Sequence, residues 1–208
     1  MSKHHRNRNW APAPQPLPED AHVIDNHTHV ASVVPFSQAM SHEAMEKGQG
    51  EVPVYSVDEL LEQAQKVGVE GVIDCGCELP NLMTAIDMAR EHPGTVHAAI
   101  AIHPNESVLH GHRGVPGPDG LPLKYKPWHD TSFEDAMAEV HRLAITYPNQ
   151  VVAIGETGMD LFRTGEAAKE LQREAFRAHI ALAKELNLPM QIHDRDSHKE
   201  VIETLLAD

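Results

Sequence analysis

Two histidines separated by one residue, His27 and His29, follow a short apolar run near the start of the sequence. Because side chains along a strand alternate with a period of two, both imidazoles would leave the strand on the same face and converge on one point. Neutral imidazole nitrogens bind divalent transition metals, and zinc is bound at about 2.0–2.1 Å. The pattern alone is equally compatible with a structural pair of histidines, so other ligands must support a metal site.

Further apolar runs end in residues that could bind a metal ion or a phosphate. In chain order these residues are His103, Glu156 and His193. Arg195 follows two residues after His193 and would place a cation beside it. The carboxyl ends of parallel strands meet at one edge of a sheet, where α/β folds keep their working residues. Together these residues indicate a metal centre, whereas each of them alone could be an ordinary loop residue.

The elements that must position these residues alternate between short apolar runs and helical patterns. Strands are predicted at about His22–Asp25, Val69–Cys75, Val96–Ile102, Val151–Gly155 and Leu188–His193. Helices are predicted at about Val57–Val67, Leu79–Glu91, Phe133–Tyr147, Glu166–Asn187 and from Ser197 onward. Two long stretches that follow strands, Ala31–Ser56 and Glu106–Thr131, are expected to be loop insertions. Repeated βα units predict a parallel sheet, either open and doubly wound or closed into a barrel.

The composition indicates one globular domain with a tail. The 208 residues are 41% hydrophobic and 23% charged, which is ordinary for a globular protein. Residues 1–20 are polar and proline-rich and predict a disordered tail, so residues 21–208 would form the domain. No apolar run reaches the length of a membrane span, and none follows the basic start. We therefore expect a cytoplasmic protein with no membrane contact.

The charge and the cysteines limit the possible functions further. A formal net charge of −14 argues against a protein that coats the nucleic-acid backbone, so any phosphate recognition must be local. Cys75 and Cys77 lack the second pair of a structural zinc site and are interpreted as reduced, packed thiols. Several histidines in loop segments, among them His110 and His129, are expected to be exposed to solvent.

Taken in order, four segments resemble the motifs of the TatD family of metal-dependent deoxyribonucleases, within the amidohydrolase-like barrels. The family's Asp-x-His-x-His, Gly-Ile-His-Pro, Gly-Glu-Ile-Gly-Leu-Asp and Ile-His-x-Arg motifs are matched by Asp25–His29, Ala101–Pro104, Gly155–Asp160 and Ile192–Arg195. Gln172 and Phe176 also fall where the family pattern places Gln and Phe. The resemblance covers about residues 22 to 208. It implies an α/β fold of the TIM-type (β/α) barrel, of which about the first five βα units are present.

The resemblance also implies a role for each residue and a substrate. Two divalent metal ions, of Zn, Mg or Mn, would be bound by His27, His29, Glu156 and His193, with Glu156 bridging both. His103 and Arg195 would contact the phosphate or the leaving group, although Arg195 could instead pair with Asp160 or Asp194. The implied reaction is cleavage of DNA or another phosphodiester by a water activated between the two ions, with Glu156 central to catalysis. The oligomeric state is left open.

The sequence departs from the family at its far end. The family completes its site with a histidine after strand 6 and an aspartate after strand 8, and neither is present. We therefore expect a fragment, a truncated chain or a chain whose missing strands come from another polypeptide, with little or no turnover by the 208-residue polypeptide alone. One alternative is an amide, lactone or phosphotriester hydrolase, although those related barrels usually have a bridging lysine where Glu156 stands. The other is a non-catalytic fragment that binds a metal or a partner.

Overall fold

The computed structural model describes residues 15–48, 53–112 and 124–208. Its strands are β1 (Val23–Thr28), β2 (Val69–Gly76), β3 (Val96–Ile100), β4 (Val151–Asp160) and β5 (Met190–Arg195). Its α-helices are α1 (Val30–Glu46), α2 (Val57–Lys66), α3 (Leu79–Glu91), α4 (Pro104–Ser107), α5 (Phe133–Thr146), α6 (Leu161–Thr164), α7 (Lys169–Leu186) and α8 (His198–Ala207). The strands form one sheet in the order β1-β2-β3-β4-β5, and β2 to β5 pair in parallel. Most of the proline-rich tail, residues 1–14, lies outside the described residues.

Contacts divide the chain into two compact units. Of the described residues, those up to Ile24 and those within Val30–Gly71 form the first unit, and those within Asp25–His29 and Val72–Asp208 form the second. All the residues assigned to chemistry belong to the second unit. Among the residues that the structure describes, no helix is both long enough and apolar enough to cross a membrane.

In the first unit, α1 occupies much of the segment that was expected to be a loop. The 17-residue helix buries Ser37, Ser41 and Ala44, which are spaced four and three residues apart on one face. Two of these three residues are serines, so the buried face lacks the apolar pattern by which a helix is recognised in a sequence. The expectation of a loop was therefore wrong here. The next helix, α2, begins as its capping box predicts, since Ser56 and Glu59 cap each other's backbone N–H groups.

The core of the second unit lies around β3 and β4. Three consecutive residues of β3, Ala98 to Ile100, have no exposed surface, as expected for a parallel strand covered on both faces. Phe176 and Ile180 of α7 pack on Met159 of β4. Burying each of these large side chains contributes roughly 1.5–3 kcal/mol. These contacts hold the end of β4, where the functional residues lie.

The fourth strand continues five residues beyond its predicted end at Gly155. Its register with β5 shifts between Ile154 and Thr157, so that two residues, Gly155 and Glu156, lie opposite the single residue Gln191. A Cβ atom at Gly155 would lie 2.5 Å from the Cβ of Gln191, so only glycine permits this approach of the two strands. The resulting bulge ends the regular alternation of side chains at Glu156 and explains why the sequence pattern ended the strand too early.

The described ends of the second long insertion contain two buried histidines. His110 and His129 are fully buried, so the expectation of solvent exposure was wrong for both. His129 Nε2 lies 2.7 Å from the Glu106 carboxylate, which also accepts a hydrogen bond from Trp128 Nε1 at 3.1 Å. His110 Nδ1 lies 3.0 Å from the carbonyl oxygen of Thr131. These polar partners offset the cost of removing the imidazoles from water.

Candidate metal centre

The end of β1 and the bulge of β4 bring together one cluster of three side chains. His27 Nε2 lies 3.5 Å and His29 Nε2 lies 3.7 Å from Glu156 Oε2. The three ligand atoms lie within 4.8 Å of one another. His29 Nδ1 donates a hydrogen bond to the Cys75 carbonyl at 3.3 Å, which leaves the Nε2 lone pair directed at Glu156. The two histidine side chains remain 40% and 42% exposed.

A second cluster lies on the other side of the same carboxylate. His193 Nδ1 donates to Glu156 Oε1 at 2.6 Å, and His103 Nε2 lies 3.3 Å from His193 Nδ1. His103, Glu156 and His193 again offer ligand atoms within 4.8 Å of one another. The side chains of His103 and His193 are only 16% and 17% exposed. Glu156 is therefore shared by two clusters, and His103, expected only to contact substrate, lies within reach of the second one.

Asp160 at the end of β4 orients the second cluster. Its Oδ2 accepts hydrogen bonds from His193 Nε2 at 3.1 Å and from Asn105 Nδ2 at 3.0 Å. Its Oδ1 accepts from the backbone N–H of Arg163 at 2.8 Å. A carboxylate on the outer nitrogen of an imidazole fixes the ring and raises the basicity of the inner nitrogen. Asp160 therefore holds His193 Nδ1 toward Glu156, a role that the sequence did not reveal.

Helix α7 fixes the strand ends that carry these residues. Gln172, which is fully buried, accepts a hydrogen bond from the Asp160 backbone N–H at 2.8 Å. His179 accepts one from the backbone N–H of Ile102 at 3.1 Å and donates one to the Ala175 carbonyl at 2.7 Å. Complete burial lowers the pKa of His179 to about 4, so it is neutral. The backbone directly before His103 and at Asp160 is thus anchored to one helix.

The charges in the second cluster depend on one another. Burial alone would lower the pKa of His193, but its hydrogen bonds to Asp160 and Glu156 outweigh burial and raise it to about 9. Burial would raise the pKa of each carboxyl group. The hydrogen bond from His193 nevertheless helps to lower the pKa of Glu156 and that of Asp160 to about 2. Burial, and then the charge of His193, lower the pKa of His103 to about 4. Without a metal, the site holds a histidine cation between two carboxylates.

Both cysteines lie beside the site, and both are free thiols. Cys75 packs with the small residues Ala99 and Ala153, in line with its interpretation as a packing residue. Its Sγ donates to Gln191 Oε1 at 2.9 Å, and Cys77 Sγ lies 3.9 Å from Glu156 Oε2. Burial, reinforced by the charge of Glu156, raises the pKa of Cys75 to about 12. Burial also raises the pKa of Cys77, so both thiols stay protonated and the strong donors are nitrogen and oxygen.

Arg195 makes neither of the ion pairs that were considered for it. Asp160 is bonded to His193, and the Asp194 carboxylate lies 2.7 Å from His198 Nδ1. The Arg195 guanidinium instead lies over the ring of Phe162, 4.0 Å from its centroid. The arginine remains exposed at the end of β5, two residues from His193.

The donor atoms fit a divalent metal ion. Three or more imidazole and carboxylate donors within 4.8 Å of one another can close around an ion at about 2 Å, as zinc requires. In the second cluster an ion would have to displace the proton of His193. Four residues were predicted as ligands, namely His27, His29, Glu156 and His193, and the structure brings all of them to this edge of the sheet. The sequence analysis named Asp160 only as the end of a motif and as a possible partner of Arg195, and did not predict its contact with His193.

Comparison with known proteins identifies similar chains. The family model described as TatD related DNase matches residues 24–208. An uncharacterized metal-dependent hydrolase, YabD of Bacillus subtilis, is 32% identical over 72% of this chain and 48% of its own length. The 3'-5' ssDNA/RNA exonuclease TatD of Yersinia pseudotuberculosis is 30% identical over 71% of this chain and 47% of its own length. The chain thus spans about half the length of the curated relatives it matches.

A solved structure extends the likeness to the fold. The crystal structure of YjjV, a TatD homologue from Escherichia coli, matches with a TM-score of 0.61 and 23% identity. The match covers 89% of this chain and 55% of that one. The prediction of an α/β chain with about the first five βα units of a (β/α) barrel is thereby confirmed.

Proposed function

The chain belongs to the TatD-related DNase family, and on that premise we propose that it provides the metal-binding part of a phosphodiester hydrolase. The observation that carries this proposal is the position of Glu156. One carboxylate lies between two clusters of imidazole ligands, with Oε2 toward His27 and His29 and Oε1 toward His193. A carboxylate in this position could bridge a pair of divalent ions. Imidazole and carboxylate donors together suit Zn or Mn better than Mg.

The reaction we assign to this site is attack of water on a phosphodiester. When bound, divalent ions lower the pKa of coordinated water and withdraw charge from the phosphate oxygens. His103 Nδ1 accepts a hydrogen bond from the Asn105 backbone N–H at 3.1 Å, so the neutral ring carries its proton on Nε2. With that proton His103 does not itself bind an ion, and it can donate the proton to a phosphate or leaving-group oxygen. His103 therefore assists catalysis, and Glu156 holds the ligands together.

The substrate we propose is a single-stranded nucleic acid. Arg195 offers an exposed guanidinium two residues from His193, suited to a phosphate oxygen. The relative from Yersinia pseudotuberculosis is named for its action on single-stranded DNA and RNA. An arginine contact at one point is also compatible with the net charge of −14, which disfavours contacts along the whole backbone.

The test uses two forms of the protein. Metal binding is measured on the 208-residue chain by titration calorimetry with Mn²⁺ and Zn²⁺. Hydrolysis of an end-labelled oligonucleotide is measured on this chain and on a fusion that adds the remaining barrel strands of a full-length relative after Asp208. We expect divalent-metal-dependent, chelator-sensitive cleavage by the fusion.

Variants at two residues separate the proposed roles. Glu156→Ala should abolish most of the cleavage by the fusion, whereas His103→Ala should reduce it less. Near-normal, chelator-sensitive cleavage by a folded Glu156→Ala protein would show that the two-metal assignment is wrong. Cleavage of an amide or lactone in place of the oligonucleotide would reassign the substrate.

A further inference from the structure

An exposed aromatic ring lies at the rim of the metal centre. Phe162 follows Asp160 by two residues and is the second residue of the short helix α6. Phe162 remains 45% exposed, whereas Phe133 and Phe176 are buried in the core of the same unit. Asp160 pairs with Arg195 in the register of β4 and β5, which places the ring where these two strands end. The ring is exposed to water and lies against Arg195, which is two residues from His193.

Two arginines surround this ring. The guanidinium of Arg195 lies 4.0 Å and that of Arg163 lies 5.6 Å from the centroid of Phe162. Each distance lies within the range of a cation–π interaction. Because Arg163 follows Phe162 directly and Arg195 comes from the neighbouring strand, the ring is held from two elements.

These two arginines differ from the others that the structure describes. Four arginines pair with a carboxylate through a salt bridge, and these are Arg90, Arg142, Arg173 and Arg177. Within residues 15–48, 53–112 and 124–208, the guanidinium groups of Arg163 and Arg195 form no such salt bridge. In a chain with a net charge of −14, two guanidiniums without a carboxylate on one exposed ring form a local site for an anion.

We propose that Phe162, flanked by Arg163 and Arg195, is a stacking subsite for one nucleobase of a single-stranded nucleic acid whose phosphate lies at the metal centre. A base presents a flat π face that stacks on an exposed aromatic ring, and arginines beside the ring can bind the adjoining phosphate. This combination of ring and cations is how single strands are bound without sequence preference. The proposal rests on the proposed function, because it assumes a nucleic-acid substrate at the metal centre.

The test is a fluorescence titration in the presence of a chelator, so that binding is measured without cleavage. Short thymidine strands, each with one 2-aminopurine at a different position, are titrated with the 208-residue chain. Stacking on Phe162 should quench the 2-aminopurine at one position in the strand. Phe162→Ala should abolish this quenching and weaken binding about five- to hundredfold, in line with the loss of one stacked base. Phe162→Tyr keeps a ring and should retain both properties.

Two controls isolate the effect of the ring. Phe36→Ala removes a comparably exposed phenylalanine, 59% exposed, from α1 and should leave binding and quenching unchanged. A strand with an abasic residue at the quenched position should bind wild type and Phe162→Ala equally well. Absence of quenching at every position, or equal quenching by wild type and Phe162→Ala, would overturn the proposal.

Cleavage is scored in a separate assay, so that the two proposals can fail independently. Quenching that depends on Phe162 without metal-dependent cleavage by the fusion would support the stacking subsite and count against the proposed hydrolase. Cleavage by the fusion with no effect of Phe162→Ala on binding would support the hydrolase and overturn the stacking subsite.

Discussion

The two ligand clusters that share Glu156 are built very differently. In the first cluster, His27 and His29 lie on β1, and about two fifths of each side chain is exposed. In the second, His103 and His193 are mostly buried, and hydrogen bonds to Asn105 and Asp160 fix both rings. The second cluster therefore has its geometry before any ligand binds, whereas the first has fewer restraints.

The difference follows from the strands that carry the clusters. The second cluster lies at the ends of β3, β4 and β5, where the buried residues Gln172 and His179 of α7 bond to the backbone. The first cluster lies on a strand whose residues from Ile24 to His27 are exposed. A ligand whose own hydrogen bonds are satisfied in a packed core loses little conformational freedom when it binds a metal. Hence the second cluster should lose less conformational freedom than the first when a metal binds, although the ion there must first displace the proton of His193.

The largest expected effect is that of Glu156→Ala, which removes the ligand that the clusters share. Metal affinity should fall in both clusters by more than the 10- to 100-fold that loss of an outer hydrogen-bond partner typically costs. Titration calorimetry with Zn²⁺ on the 208-residue chain measures this loss. If one cluster kept its metal affinity, Glu156 would be a ligand of the other cluster alone, and the two clusters would not share it.

Asp160→Asn should produce the next largest effect and should act on one cluster only. The amide is a weaker hydrogen-bond acceptor for His193 Nε2–H, so it orients the ring less firmly and lowers the basicity of Nδ1, and affinity in the second cluster should fall about 10- to 100-fold. The first cluster, which has no hydrogen bond to Asp160 in the described part of the chain, should keep its affinity. Asp87→Asn, which removes the ion-pair partner of Arg90 on α3, is the matched control. An equal loss of metal affinity in both clusters would show that Asp160 does not act on the second cluster alone.

Much of the site could be predicted from the sequence because it depends on strand ends. The spacing of His27 and His29, and the positions of Glu156 and His193 after apolar runs, required only the period of a strand and the common edge of a parallel sheet. Asp160 could not be assigned, because the bulge at Gly155 and Glu156 alters the register that would have related the two acids. Irregular backbone of this kind has no pattern in the sequence.

The errors in the fold have a similar origin. Helix α1 was missed because serines, rather than apolar residues, occupy its buried face. His110 and His129 were expected in solvent because loop histidines usually are, whereas here Glu106 and the Thr131 carbonyl provide buried partners. Such partners lie up to 23 residues away in the sequence and become visible only when the chain is folded.

A smaller effect is expected on the stability of the metal-free chain, and it tests the difference in hydrogen bonding directly. His193→Ala removes two hydrogen bonds from a half-buried network and leaves Asp160 without its charged partner, so unfolding should become easier by about 1–3 kcal/mol. His27→Ala removes an exposed side chain and should change stability by no more than about 0.5 kcal/mol. Urea unfolding in the presence of a chelator measures both. Equal losses would show that the first cluster is as firmly held as the second.

The smallest expected effect is a pH dependence of the metal-free chain, on the order of 1 kcal/mol. In the folded chain the pKa of His193, about 9, lies above its value in the unfolded chain. The contribution of His193 to folding stability is therefore complete below about pH 6.5 and is lost as the pH rises through 9. The pKa values of Glu156 and Asp160 are lowered to about 2. Their contribution to folding stability is therefore complete above about pH 4.5 and is lost only as the pH falls through 2.

Urea unfolding in a chelator should therefore show highest stability between about pH 4.5 and 6.5 and a decline from pH 7 to 9. His193→Gln should flatten that decline, whereas His27→Gln leaves the three charged groups of the second cluster intact and should preserve it. Metal affinity should change in the opposite sense and rise from pH 7 to 9, because the ion competes with the proton on His193. If the decline in stability survived His193→Gln, the titrating group would lie outside the second cluster. The two clusters would then not differ in the way that their charges stabilise the fold.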